Sequence, residues 1–320
     1  MANCQLSGNL RHIAGFLLAP TVPIMVGHSW GFAMRPQFLL TDPGHFNVSY
    51  CINPWMAPEA WNAGAARAAR AGSGALCAAI REAGGEVHLL PAVEGLPDLV
   101  FPANAAVVLD GTVLAARFLH PQRQGEEAIF RAAFEDLRAR GLVDEIVELP
   151  DGVIQEGAGD AIWDQTRGHF WIGHGQRSTA SSIAVIEQVF DQPGVALELA
   201  SPRFYHLDTC FCPLAGGRLL YYPPAFTPAA LAAIHAQVQP ADRIVASDED
   251  AAAFSVNAVN IGEVIIMARP PENLRARLAA HGYRVVPIDL DPFILSGGGA
   301  YCMTLRLDRA SSAGRMRRVG

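Results

Sequence analysis

The chain has 320 residues, 51% of them hydrophobic and 17% charged, which excludes an intrinsically disordered chain and supplies enough apolar side chains for a large core. A formal net charge of −7 leaves no basic footprint, so nucleic acid is not expected as a partner. The six cysteines, Cys4, Cys51, Cys77, Cys210, Cys212 and Cys302, form no C-x-x-C pair and no disulfide framework, a pattern expected of reduced thiols in the cytoplasm.

Residues 13–33 are mostly apolar. Pro20 and Pro23 interrupt the run, which counts against a secretory signal without removing it as an alternative, and His28 lies within it, so a membrane span is not expected. We read 1–34 as an N-terminal extension, with Met34 a candidate natural start. Residues 35–309 form a single domain, and 310–320, with Arg315, Arg317 and Arg318, a solvated basic tail.

In chain order, "QFLLT" (37–41) reads as a strand, "EAWNAGAARAARAGSGALCAAIREAG" (59–84) as a helix and "EVHLL" (86–90) as a second strand. One pattern then recurs: a hairpin turning at glycine, a helix and a short strand. "AAVVLDGTVLAARF" turns at Asp110-Gly111, a strong hairpin signal. It is followed by the helix "EEAIFRAAFEDLRARG" (126–141), with Phe130, Phe134 and Leu137 on one face, and the strand "EIVEL". "AIWDQTRGHFWIGHG" turns near Gly168 and leads to "TASSIAVIEQVFDQPG" and "VALEL". "CFCPLAGGRLLYYP" turns at Gly216-Gly217; "TPAALAAIHAQV", with Thr227 as N-cap and Pro228 at the first helical position, and "RIVAS" follow. "NAVNIGEVIIMA" turns near Gly262 before "PENLRARLAAHG" and "RVVPI". The turn glycines at 111, 168, 217 and 262 are 57, 49 and 45 residues apart. The final strand "CMTLRLD" (302–308) is expected to pair with "QFLLT", making a fifth unit that closes the ring. The predicted fold class is α/β, with pseudo-fivefold repeats closed by pairing of the N- and C-terminal strands.

Polar residues gather where each unit begins: "PDLVFPAN" (97–104), "QEGAGD" (155–160), "FYHLDTC" (204–210) and "SGGGAYC" (296–302). In a closed ring these junctions face the axis together. Asp98, Asn104, Glu156, Asp160, His206, Asp208 and Cys302 are therefore expected to converge. Taken singly, His206 reads equally well as a core histidine, Glu156 and Asp160 as turn caps, and Cys302 as a packing cysteine. Their shared step in the repeat argues for a site. The glycines at 297–299 are expected to bend the backbone and expose the Cys302 sulfur at the mouth of a strand.

These segments, with "CINPWM" (51–56), "PQRQGE" (121–126), "LYYPPAF" (220–226) and "NAVNIG" (257–262), resemble the guanidine-modifying enzymes of the pentein superfamily over about residues 35–307. The arginine dihydrolase branch is the most similar. The resemblance implies a five-bladed α/β propeller with Cys302 as nucleophile, His206 as general acid/base and Glu156 as its carboxylate partner. Asp208 would hold the guanidinium, with Asp98 and Asp160 beside it, and Arg123 and Arg177 would grip the substrate carboxylate. Asn104 and Asn53 match the dihydrolase branch, where deiminases carry aspartate in place of Asn104. The implied reaction is cysteine-dependent hydrolysis of arginine to ornithine, ammonia and carbon dioxide, with no metal and no cofactor. Dimethylarginine dimethylaminohydrolase, arginine deiminase and amidinotransferase remain alternatives. The expected partner is a small molecule; no membrane is involved, and a homo-oligomer is left open. A competing metal reading rests on His206, Asp208, Cys210 and Cys212, which a regular strand would place on one face.

Overall fold

A computed structural model describes residues 35–312. The expected extension 1–34, Cys4, and the tail arginines 315, 317 and 318 lie outside the described residues. Five three-stranded sheets follow one another along the chain. Strand β1 (Gln37–Thr41) pairs in parallel with β2 (Glu86–Leu90), and helix α1 (Ala63–Glu82) connects them. The next sheet holds β3 (Ala106–Leu109), β4 (Thr112–Ala115) and β5 (Glu145–Val147), with α2 (Pro121–Ala139) between the last two. Then come β6 (Ala161–Asp164), β7 (His169–His174), α3 (Ser182–Phe190) and β8 (Gly194–Glu198). The fourth sheet contains β9 (Phe211–Pro213), β10 (Leu219–Tyr221) and β11 (Arg243–Val245), with α4 (Pro228–Gln237) before β11. A short helix, α5 (Asp248–Ala252), leads to β12 (Val259–Ile261), β13 (Val264–Ala268), α6 (Glu272–Ala280) and β14 (Arg284–Ile288). Helix α7 (Asp291–Ile294) precedes β15 (Leu305–Arg306).

Within each sheet the middle strand runs antiparallel to one neighbour and parallel to the other. Both β3 and β6 are buried throughout, whereas β2, β5 and β14 are largely exposed or half-buried. The hairpin pair therefore turns one strand inward, and the helix returns the chain to the outer edge. The two-residue β3–β4 turn places Asp110 at φ 54° and Gly111 at φ 84°, the left-handed pair that a tight hairpin demands.

Closure occurs as expected: β15 pairs antiparallel with β1 through Phe38–Arg306 and Leu39–Leu305. The strand is shorter than "CMTLRLD" suggested, because 299–304 are spent on turns that carry Cys302. Helix α2 also begins earlier, at Pro121 rather than Glu126. Proline at the first helical position accounts for that start, and it puts Arg123 and Glu126 one turn apart on the same helix.

Each apolar cluster lies between two neighbouring sheets. Phe130, Phe134 and Leu137 of α2 pack with Ala106, Val108 and Leu305, so the predicted helix face is the one buried.

Candidate active site

Directly before each innermost strand the chain makes a turn that presents a polar side chain to the axis. Asn104 stands two residues before β3, Asp160 one before β6, Asp208 three before β9, Asn257 two before β12 and Cys302 three before β15. Hydrogen bonds link these turns into a ring. Ala103 N donates to Cys302 O at 3.2 Å, and Leu207 N donates to Asp160 Oδ1 at 3.0 Å. Asn257 Nδ2 donates to Asp208 O at 3.1 Å, while Asn257 Oδ1 accepts from Tyr301 N at 2.9 Å and Cys302 N at 3.2 Å.

Cys302 is buried, at 2% exposure. Its Sγ donates to Asp208 Oδ2 at 3.2 Å and accepts from Asn257 Nδ2 at 3.1 Å. The expectation that the glycines expose the sulfur is therefore corrected. Gly298 lies against the Phe101 ring and Gly299 against Asn257 and Phe254, where a Cβ has no room. Only Gly297, at φ 84°, uses the left-handed region, and its carbonyl accepts from Tyr205 Oη at 2.6 Å. These glycines seat the sulfur inside the molecule rather than presenting it at the surface. Burial, then the adjacent Asp208 charge, push the Cys302 thiol well above its usual range.

His206 precedes a 3-10 turn, Leu207–Thr209, and Asp208 is its middle residue, so the strand alternation assumed for "HLDTC" does not occur. Cys210 Sγ turns to Leu207 O and Cys212 Sγ to Ala258 O, away from the imidazole. Among the described residues no group of three or more His, Cys, Asp or Glu side chains is placed to hold a metal ion.

The His206 Nε2 hydrogen bond to Glu156 Oε2 measures 2.7 Å. Glu156 is fully buried; Oε2 also accepts from Arg177 Nη1 at 3.1 Å, and Oε1 accepts from Leu119 N at 3.0 Å. Burial alone would raise this carboxyl. The hydrogen bond and charge of His206, then Arg177 and Arg123, outweigh it and hold Glu156 well below the usual carboxylate range. Asp208 shows the opposite balance: burial pushes it up to about 7 against the pull of His206. Its Oδ1 is buried with no hydrogen-bond partner in the structure.

Asn104 lies 3.3 Å from His206 Nδ1 through its amide nitrogen, and Arg123 Nη1 donates to its Oδ1 at 2.8 Å. Arg123 is buried on the Phe118 ring, 4.4 Å from the centroid. Arg177 lies over the Tyr205 ring at 4.7 Å and donates from Nη2 to Ile52 O at 2.9 Å. Asp98 accepts from Tyr50 Oη and Ser296 Oγ, each at 3.0 Å, and burial raises its carboxyl. Asn53 Nδ2 donates to Ser296 O at 3.1 Å. Asn53, Asp98, Asn104, Arg123, Arg177, Tyr205 and Cys302 line one small pocket of about 10 Å³, room for about one water.

Asp160, like Glu156, His206 and Asp208, is not part of that lining. Its Oδ2 accepts from Ser178 Oγ at 2.6 Å and its Oδ1 accepts from Leu207 N. Oδ1 thus braces the turn that carries His206, and Oδ2 the segment that carries Arg177. Sequence reasoning passed over Asn257, Glu126 and Tyr205. Asn257 was within reach, since it occupies the same repeat step as Asn104 and Asp208. Glu126 and Tyr205 carried no comparable signal.

A family profile described as N,N-dimethylarginine dimethylhydrolase, eukaryotic, matches residues 60–309. A bifunctional arginine dihydrolase/ornithine cyclodeaminase, ArgZ of Synechocystis sp., is 41% identical over 271 residues, covering 85% of this chain and 37% of that protein. The chain thus spans little more than a third of such bifunctional relatives. The dimethylarginine dimethylaminohydrolase of Mycobacterium tuberculosis is 33% identical over 274 residues, 85% of each chain. The crystal structure of the N-terminal domain of ArgZ, a cysteine-to-serine variant bound to substrate, superposes with a TM-score of 0.81 at 40% identity, covering 86% of this chain and 99% of that one. The chain belongs to the dimethylarginine dimethylaminohydrolase family, within the pentein superfamily of guanidine-modifying proteins.

Proposed function

We propose that this chain is an arginine dihydrolase, which converts arginine and two waters into ornithine, two ammonia and carbon dioxide. The observation that carries the reading is the combination of Asp208 beside the sulfur with Asn104 in the pocket that Cys302 lines. Asp208 Oδ1 is a buried acceptor without a partner, suited to a guanidinium N–H. Asn104, which lines the same pocket as Cys302, is a neutral amide rather than a second acid. Charge-assisted bonds to Asp208 would fix the planar cation over the sulfur. Once water has displaced the sulfur, the bound ureido group is neutral, and an amide that both donates and accepts suits it better than a carboxylate does. ArgZ has been crystallised with its substrate, with its product, and as an asparagine-to-serine variant covalently bound to a reaction intermediate, which supports a covalent route here.

The free thiol is held neutral, so the cationic substrate prepares its own nucleophile. A guanidinium against Asp208 neutralises the charge that keeps the S–H protonated. Sulfur then bonds to the guanidino carbon as its proton passes to His206 Nδ1, the nitrogen not occupied by Glu156. The imidazolium returns that proton to the departing ammonia, leaving a thiouronium on Cys302. Water, deprotonated at the same nitrogen, adds to that carbon and expels the thiolate, giving citrulline in place. A second pass on the ureido group releases ornithine, ammonia and carbon dioxide. Arg177, with three N–H groups not engaged by the protein, is the better placed of the two arginines to meet the substrate carboxylate.

A product assay on arginine, citrulline, agmatine and dimethylarginine, run beside Cys302→Ser, tests this. Ornithine from arginine, lost in the variant, is expected. Citrulline as the sole product would replace the reading with a deiminase. Dimethylamine and citrulline from dimethylarginine would replace it with the dimethylaminohydrolase activity that the family name describes.

A further inference from the structure

Glu126 is the most deeply buried acid that the mechanism leaves unused, with no exposed surface at all. Both of its oxygens are taken by one guanidinium: Arg123 Nε donates to Oε1 at 3.0 Å and Nη2 donates to Oε2 at 2.7 Å. Pairing across one helical turn, on the apolar face that also carries Phe130, places the two charges where water cannot reach them. A buried pair of this kind does little for stability compared with an apolar substitute, so its geometry is the more informative property.

Arg123 is pinned on three sides. Glu126 holds one edge of its plane, Phe118 lies beneath it, and Nη2 also donates to Asp98 O at 3.1 Å. The remaining direction points Nη1 at Asn104 Oδ1, 2.8 Å away. Because guanidinium can only donate, it fixes which way the Asn104 amide faces: oxygen toward Arg123, nitrogen toward His206 Nδ1. An amide N–H facing Nδ1 leaves that nitrogen as acceptor and the Nε2 proton directed at Glu156.

We propose that Glu126 is a positioning residue for the reaction, acting through Arg123 to lock the Asn104 amide and thereby the tautomer of His206. The inference rests on the functional reading above, in that it assigns Nδ1 the proton transfers and Asn104 the neutral intermediate. The other groups facing His206 are Glu156, Asp160 at 4.0 Å, Asp208 and, at longer range, His120. None of them bonds the Asn104 amide, so the orienting information comes from the Glu126–Arg123 side.

The test is a double-mutant cycle of Glu126→Gln with Asn104→Ser, scoring kcat, KM and the ratio of citrulline to ornithine released. Glu126→Gln keeps the shape and removes the charge that aligns Arg123. We expect kcat to fall about 10- to 100-fold, KM to change less than about threefold, and free citrulline to rise as the intermediate is held less well. In the Asn104→Ser background Glu126→Gln should cost little more, because the residue it acts through is gone. Glu126→Asp should recover part of the loss. Additive losses in the cycle would overturn the proposal, as would full kcat in the folded fraction of a merely less stable Glu126→Gln protein. If the wild type yields only citrulline, the dihydrolase reading fails by itself. The cycle, read on ammonia release, then still decides the role of Glu126.

Discussion

Asp208 carries two opposing duties that can be separated by pH. It faces the sulfur with one oxygen and nothing with the other, and burial pushes it up to about 7. A carboxyl held above its ordinary range keeps its proton in the fold. Its cost is absent below the ordinary value, grows as pH rises from about 4 to about 7, and is constant beyond. The shift from 3.8 to about 7 corresponds to roughly 4 kcal/mol at most. Asp208→Asn should therefore abolish turnover while becoming more stable than wild type above pH 7, by about 1–4 kcal/mol, with the difference vanishing toward pH 4. Thermal melts of both proteins across that range measure it; parallel curves would show that Asp208 titrates normally. Glu156 slopes the other way but below this window, because its folded value is depressed and its stabilisation is lost only as pH falls through that value. The same substitution removes the charge that suppresses the thiolate, so iodoacetamide should label Cys302 faster at pH 8 in Asp208→Asn than in wild type. Equal labelling rates would mean that burial alone governs the thiol.

The turn "EGAGD" shows how a short element is written around the site. Gly157 adopts φ 65° and lies against Ala103 O and the Asn104 carbonyl carbon, so the backbones of two repeats pass closer than any side chain permits. Gly159 has ordinary dihedrals, yet a Cβ there would overlap Asn104 Nδ2 and come within 3.5 Å of the His206 ring. Gly159→Ala should therefore push the amide off the imidazole and reduce kcat about 100-fold, with the melting temperature changed by only a few degrees. Steady-state kinetics beside calorimetry decide this, and unchanged kcat would mean that the amide relaxes freely. From the sequence the two glycines were visible, as was their place at the start of a repeat. What they make room for was not, since Asn104 lies 55 residues before Gly159. Helix α2 illustrates the converse. Its apolar face was readable from periodicity, while the polar pair in its first turns, Arg123 and Glu126, carried no sign in the sequence that the two would be buried together.

At the scale of the molecule the ring depends on β15, two residues long. Leu305 is buried at 1% exposure and packs with Leu39 of β1 and with Phe130 and Phe134 of α2. Around it, Gln37 N donates to Asp308 Oδ1 at 2.9 Å, and Asp110 N donates to Arg309 O at 2.8 Å, joining the last strand to the first two sheets. Leu305→Ala should cost about 2–5 kcal/mol and lower the melting temperature by about 5 °C or more. Activity should fall with it, because the same segment carries Cys302. A loss under about 1 kcal/mol would show that closure does not rest on this strand.

Sequence by itself determined the repeat. Paired apolar runs, turn glycines and capped helices are local signals, each written within about fifteen residues, and five successive copies imply a ring. The shared step of that repeat also marked Asn104, Glu156, His206, Asp208 and Cys302 as one set. Only the tertiary structure decided what each of them does there. Whether an acid is charged, a thiol ionised or an amide turned one way depends on burial and on partners brought in by closure from residues as distant as 302 and 104. Those energies fall steeply with distance and dielectric, and no spacing along the chain encodes them.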